Sequence, residues 1–118
     1  MKYMLMIYHN AEIWETLSEQ EQQAVMSEGG RRWQDLMASG ECIMGEPLAA
    51  PSEARVVRVQ NGSAEVTDGP FAEAKEQFVG FLVIDVASEE RAIEIAQSWP
   101  DARCGALVVR QIHVANAK

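Results

Sequence analysis

The 118-residue chain has only two cysteines, Cys42 and Cys104, in neither a C-x-x-C pair nor a zinc-type spacing. A disulfide framework and a cysteine-based metal site are thereby excluded, and both thiols read as reduced, buried, small apolar side chains. Histidine is as scarce, with His9 and His113 alone. No run approaches the ~20 apolar residues of a membrane span, and the opening apolar stretch Met1 to Tyr8 is too short for a secretory signal and has no small-residue cleavage site. Basic residues are few: ten against eighteen acids, a net charge of −8. Such a chain repels phosphate backbones and anionic lipid, and Arg31-Arg32 is too small a pair to reverse that. We therefore expect no nucleic-acid partner, no membrane partner and a cytoplasmic location. Phosphate-loop, dinucleotide-binding and nucleophile-elbow fingerprints are also missing, as is any metal-spaced His/Cys cluster.

What is present suits one domain over residues 1–118. The apolar, β-compatible segment 2–8 lacks polar alternation and reads as a central strand covered on both faces. Ser18-Glu19-Gln20-Glu21 is a capping box, in which serine and glutamate each satisfy an orphan helix N–H. Val25, Gly29, Trp33, Leu36 and Met37 then recur at steps of three and four up to Gly40, a natural left-handed cap, which predicts a helix over 19–39. Gly29-Gly30 inside it points to a close approach by another element. Residues 41–48 read as a second strand. Strands 55–60 and 63–67 flank Asn61-Gly62, the dipeptide that supplies both positive-φ positions of a type I′ hairpin turn. A turn at Asp68-Gly69-Pro70-Phe71 precedes a long apolar strand over 78–86. Ser88 caps a second helix with Ala92, Ile95, Ala96 and Trp99 on one face; Pro100 ends it, and 106–114 gives the last strand.

The order is βαβ, a hairpin, then βαβ. Two helices on one face of one sheet make an α+β, ferredoxin-like fold with an inserted β-hairpin. The other sheet face has no helix to cover it although its strands look apolar on both sides. A homodimer through facing sheets follows as the simplest cover.

Polar chemistry concentrates in Asp68-Gly69-Pro70-Phe71-Ala72-Glu73-Ala74-Lys75-Glu76. Asp68 can act as a general base or orient His9, since a carboxylate beside an imidazole sets its tautomer; it can equally bond turn N–H groups before Gly-Pro. His9, at the end of the first strand beside Tyr8, can reach a cleft or be simply solvated. Lys75 can hold an anionic metabolite or serve as an ordinary ion-pair partner of Glu73 and Glu76. Glu46, after the second strand, is a further candidate for the cleft wall. Trp14 falls in a polar loop over 9–17 and suits a cleft mouth or a dimer edge. Phe71, Phe81, Trp33 and Trp99 read as core or dimer-face residues, and His113 as a surface residue.

The run Asp68 to Gln77, followed by Gly80-Phe81-Leu82-Val83-Ile84-Asp85, resembles the signature of the DGPF-domain group of YCII-related proteins, as do Lys2 to Tyr8 and Gly45-Glu46-Pro47-Leu48. The resemblance covers nearly the whole chain. It implies a dimeric α+β barrel, a site in a cleft near the sheet, and kinship with small lyases and isomerases such as muconolactone isomerase; some relatives are linked to alternative sigma factors. YCII-type relatives pair a histidine of the first helix with an aspartate. Measured from the helix-ending glycine, that position is about Gly29 here, and His9 is the residue available to replace it.

The expectation is an acid–base lyase or isomerase without a cofactor, acting on a small organic acid. Asp68 and His9 form the catalytic pair, and Tyr8, Lys75, Glu73 and Glu46 form the substrate site. The alternative is a non-catalytic module that binds a metabolite or a regulatory partner.

Overall fold

The computed structural model describes residues 1–70 and 75–113. Strand β1 (Lys2–Asn10) runs directly into the short helix α1 (Ala11–Thr16), followed by α2 (Glu19–Ser39) and β2 (Cys42–Pro47). A 3-10 turn at Pro51–Glu53 leads to the hairpin β3 (Arg55–Gln60) and β4 (Ser63–Asp68). Then come β5 (Glu76–Asp85), α3 (Glu89–Gln97), a second 3-10 turn at Pro100–Cys104 and β6 (Gly105–Gln111).

The main sheet has the order β2-β5-β1-β6 with every neighbouring pair antiparallel. This is the ferredoxin-like arrangement, with β3–β4 inserted as a separate two-stranded sheet. Local chemistry explains the element ends. Ser18 and Glu21 close the capping box of α2, and Gly40 ends it at φ 84°. Ser88 accepts from the Arg91 N–H at the start of α3. Asn61 and Gly62, at φ 52° and 77°, make the hairpin turn with the positive dihedrals a type I′ turn requires.

The core lies on one side of the sheet only. Tyr3 and Leu5 of β1 and Leu82 and Ile84 of β5 pack against Leu36 of α2 and Ala92, Ile95 and Ala96 of α3. Gly29 is buried and faces the Pro100 turn, whereas Gly30 has open space around it, so one glycine of the pair serves close packing. The opposite face is formed by the alternate residues. Glu46, Phe81, Met6 and Val108 make one cross-strand row, and Met44, Val83, Met4 and Arg110 the next. Among the described residues no element covers this face, and the molecule is a slab of 49 × 46 × 19 Å. No helix among those residues is long and apolar enough to cross a membrane.

Several sequence expectations change; β5, for one, runs from Glu76 to Asp85 rather than over 78–86. Residues 11–16 are helical rather than a loop: Asn10 accepts hydrogen bonds from the Glu12 and Ile13 N–H groups and caps them. The final strand begins one residue earlier, at Gly105, and ends at Gln111.

Candidate functional site

Alternation along β1 sends Tyr3, Leu5, Ile7 and His9 to the helix side of the sheet. His9 therefore lies at the end of the strand beneath the helical layer, and it meets Asp101 of the Pro100 turn. His9 Nε2 stands 2.6 Å from Asp101 Oδ2, and both side chains are mostly buried, 13% and 14% exposed. A carboxylate at this distance fixes Nε2 as the protonated nitrogen, through a charge-assisted hydrogen bond. Nδ1 carries no hydrogen bond among the described residues.

Three further features hold the pair. Trp14 of α1 stacks on the His9 ring, with centroids 4.3 Å apart and planes 21° from parallel. The Asn10 cap folds the chain back over the strand end and so brings Trp14 there. Gly105 lies opposite His9 in the β1–β6 register. A Cβ on it would stand 2.0 Å from the Tyr8 carbonyl oxygen and 2.8 Å from His9 Cα, so only glycine permits this approach. Gly29 of α2 faces the other carboxylate oxygen; a Cβ there would lie 3.6 Å from Asp101 Oδ1, at ordinary contact. The helix position expected to carry a histidine in YCII relatives thus adjoins the same aspartate that His9 contacts from the strand. Arg103, two residues beyond Asp101, bonds Glu28 of the same helix at 2.7 Å and ties the turn to α2.

Cys104 is buried beside this turn, and its thiol is pushed up by burial first and by the Asp101 charge second, which keeps it protonated and unreactive. No group of three or more His, Cys, Asp or Glu side chains that could hold a metal ion occurs among the described residues.

The structure separates most of the residues that sequence reasoning placed together. The carboxylate that His9 meets is Asp101, not Asp68. Asp68 ends β4 opposite Arg55, with which it pairs at 3.5 Å, and its side chain is 92% exposed; it belongs to the base of the hairpin. Tyr8 points to the open sheet face and packs its ring on Phe78 at 5.4 Å, because adjacent residues of a strand face opposite ways. Glu46 lies on that same open face, in register with Phe81. Lys75 is exposed, and its carbonyl accepts a hydrogen bond from Ala11 N–H at the start of α1. Glu73 lies outside the described residues, as do Phe71 and Val114. Sequence reasoning missed Asp101. Its one local signal is a carboxylate directly after the helix-ending Pro100.

Gln77 faces His9 across β1 and β5, and it also lines an apolar cleft of about 320 Å³ with Leu48, Pro51, Pro70 and Phe78. Gln77 is thus the residue common to the cleft lining and to the strand position paired with His9.

Comparison with known proteins gives a family match, a sequence relative and solved structures of like fold. The YCII-related domain profile matches residues 1–116. An uncharacterised protein of Rhizobium meliloti (strain 1021) is 30% identical over 102 residues, spanning 86% of this chain and 82% of that protein. The solved structure of 5-chloro-2-hydroxyhydroquinone dehydrochlorinase (TftG) from Burkholderia phenoliruptrix AC1100, in complex with 2,5-dihydroxybenzoquinone, superposes with a TM-score of 0.57. That match covers 96% of this chain and 94% of the other at 11% identity, a likeness of fold.

Proposed function

Because the chain belongs to the YCII-related family, we propose that it is a small acid–base enzyme of lyase or isomerase type. His9 carries the proton and Asp101 orients it. The observation behind this reading is the His9–Asp101 contact, mostly buried beneath a stacked tryptophan. A structural histidine on a half-buried strand end needs neither a carboxylate on Nε2 nor a lone pair left on Nδ1. A proton carrier uses both, one nitrogen for orientation and the other for the substrate.

Chemistry follows from the ring's two nitrogens. With Nε2–H held by Asp101, Nδ1 takes a proton from an acidic C–H or O–H of the substrate. The imidazolium that forms is stabilised by the carboxylate, and Nδ1–H then returns the proton to another atom (isomerisation) or to a leaving group (elimination). The substrate class is a small organic acid or phenol-like molecule whose apolar body lies in the cleft that starts at Gln77 and Phe78. TftG, by its name a dehydrochlorinase of a hydroxyhydroquinone, fits the elimination branch. Lys75, whose backbone meets the start of α1, is a candidate cation for an anionic group.

The reading includes a homodimer in which the open sheet faces pack on each other, as a dimeric α+β barrel. Charge supports a second copy as the cover. Glu46 lies on the β2 edge of the face and Arg110 on the β6 edge, one cross-strand row apart, so a twofold axis parallel to the strands brings each edge charge near the opposite charge of the copy. The two buried free thiols fit a reducing compartment such as the cytoplasm.

The test is turnover of small chlorinated or hydroxylated quinols and unsaturated acids by the native chain, His9→Asn and Asp101→Asn. Loss of turnover by about 10²-fold or more in both variants supports the reading. Equal turnover in all three overturns it. Saturable binding without turnover selects the alternative, a non-catalytic metabolite-binding or regulatory module of the kind that some relatives linked to alternative sigma factors suggest.

A further inference from the structure

The hairpin β3–β4 has two unlike sides. Its register pairs Val57 with Val66 and Val59 with Ala64, so four apolar residues share one side, and Val57, Val59 and Val66 are 62–69% exposed. On the other side Arg58 pairs with Glu65 and Val56 with Thr67, while the Arg55–Asp68 pair closes the valine side at its base. An isolated two-stranded hairpin is marginal in water, and three exposed valines in a row have no partner among the described residues of their own chain. The radius of gyration, 16.2 Å, exceeds the value of about 13.5 Å expected for a compact chain of this length, as an arm leaving the body requires.

We infer that this arm is a clasp, whose valine side closes on a second copy of the chain and completes the dimer interface. The inference rests on the sheet-to-sheet pairing proposed above and adds to it. Area supports the second copy as occupant. Four strands at about 4.8 Å spacing and about seven residues long present a face of roughly 440 Å². A standard interface takes about 600–1,000 Å² of accessible surface from each partner, so a sheet face of this footprint sits at the small end and gains from any added area. One side of the arm adds roughly 200 Å² to that footprint. Charge agrees. The arm, residues 55–68, holds two arginines (Arg55, Arg58) and two acids (Glu65, Asp68), so it is neutral on a chain of net charge −8. It is thus a segment that approaches an equally acidic copy without net repulsion.

The test compares the full-length chain with Val57→Thr/Val59→Thr/Val66→Thr by sedimentation over a wide concentration range. Threonine keeps the β-branched shape and removes the apolar surface. A native dimer whose dissociation constant rises at least tenfold in the triple variant supports the clasp. A native dimer with an unchanged constant in the variant overturns the clasp and leaves the sheet pairing standing. A native chain that stays at 13.1 kDa throughout overturns both. Should the variant misfold, mixed-label NMR of the native chain decides. Intermolecular contacts from the Val57, Val59 and Val66 methyl groups support the clasp, and their absence in a dimer overturns it.

Discussion

His9 Nε2 and Asp101 Oδ2 meet at 2.6 Å from positions 92 residues apart in the chain. Only the folded sheet and the turn after α3 bring them together, so each reports on the other. Replacing Asp101 with Asn removes the charged acceptor and exchanges a strong hydrogen bond for a weak one. Asp101→Asn should cost about 1.5–3 kcal/mol of stability by urea unfolding, and His9→Asn should cost less once Asp101→Asn is present. Additive losses in that double-mutant cycle would contradict the pairing.

Gly105→Ala brings a methyl group against the Tyr8 carbonyl and the His9 backbone, both of them strand backbone that cannot swing away. The variant should lose about 3 kcal/mol or more, or fail to fold. Tryptophan emission should shift in any folded fraction, because the displaced strand end carries the ring on which Trp14 stacks.

Gly30 sits in a helix with nothing within 4 Å of a Cβ. Gly30→Ala should stabilise by about 1 kcal/mol, read as a melting temperature a few degrees higher. Gly29→Ala gains the same helix propensity but places its methyl at contact distance from Asp101 and Pro100, so its gain should be smaller.

Glu41 accepts two hydrogen bonds from the Arg91 guanidinium, at 2.9 and 2.8 Å. These bonds hold its carboxyl below the usual carboxylate range, and they hold the Arg91 guanidinium more firmly protonated than usual. A carboxyl lowered by folding contributes stability above its unfolded pKa and loses it as pH falls through the folded one. Glu41→Gln should therefore cost about 0.5–1 kcal/mol at pH 7, the range for a partly exposed pair, and almost nothing near pH 2. Urea titrations at the two pH values check it.

Asn10→Ala removes the side chain that accepts from Glu12 and Ile13 N–H. The expected cost is about 1 kcal/mol, with loosening of the His9–Trp14 stack visible as a change in the His9 ring proton shifts.

Local physics made much of the fold readable. Capping residues announced α2 and α3, Asn61-Gly62 announced the hairpin, and unbroken apolar runs announced β1 and β5. The short helix α1 escaped because six residues give too few turns for an apolar period, and residues 9–17 read as a polar loop. The site was less readable. Asp68 drew attention through the crowd of acids around it, whereas among the described residues its side chain pairs with Arg55 and is 92% exposed. Asp101 stood alone after a proline, and nothing near it in sequence pointed to a histidine at the opposite end of the chain. His9 was visible, but its partner was a matter of topology.

Asn10 is at once the last residue of β1 and the cap of α1, so strand and helix share a residue and no linker lies between them. Length at this junction is therefore fixed to the residue. One amino acid inserted within β1 ahead of His9 would turn the imidazole to the opposite sheet face, and one inserted after Asn10 would carry Trp14 about 100° around the helix and off the ring. Relatives that keep this arrangement should vary in the identity of neighbouring side chains but not in the spacing from His9 to Trp14.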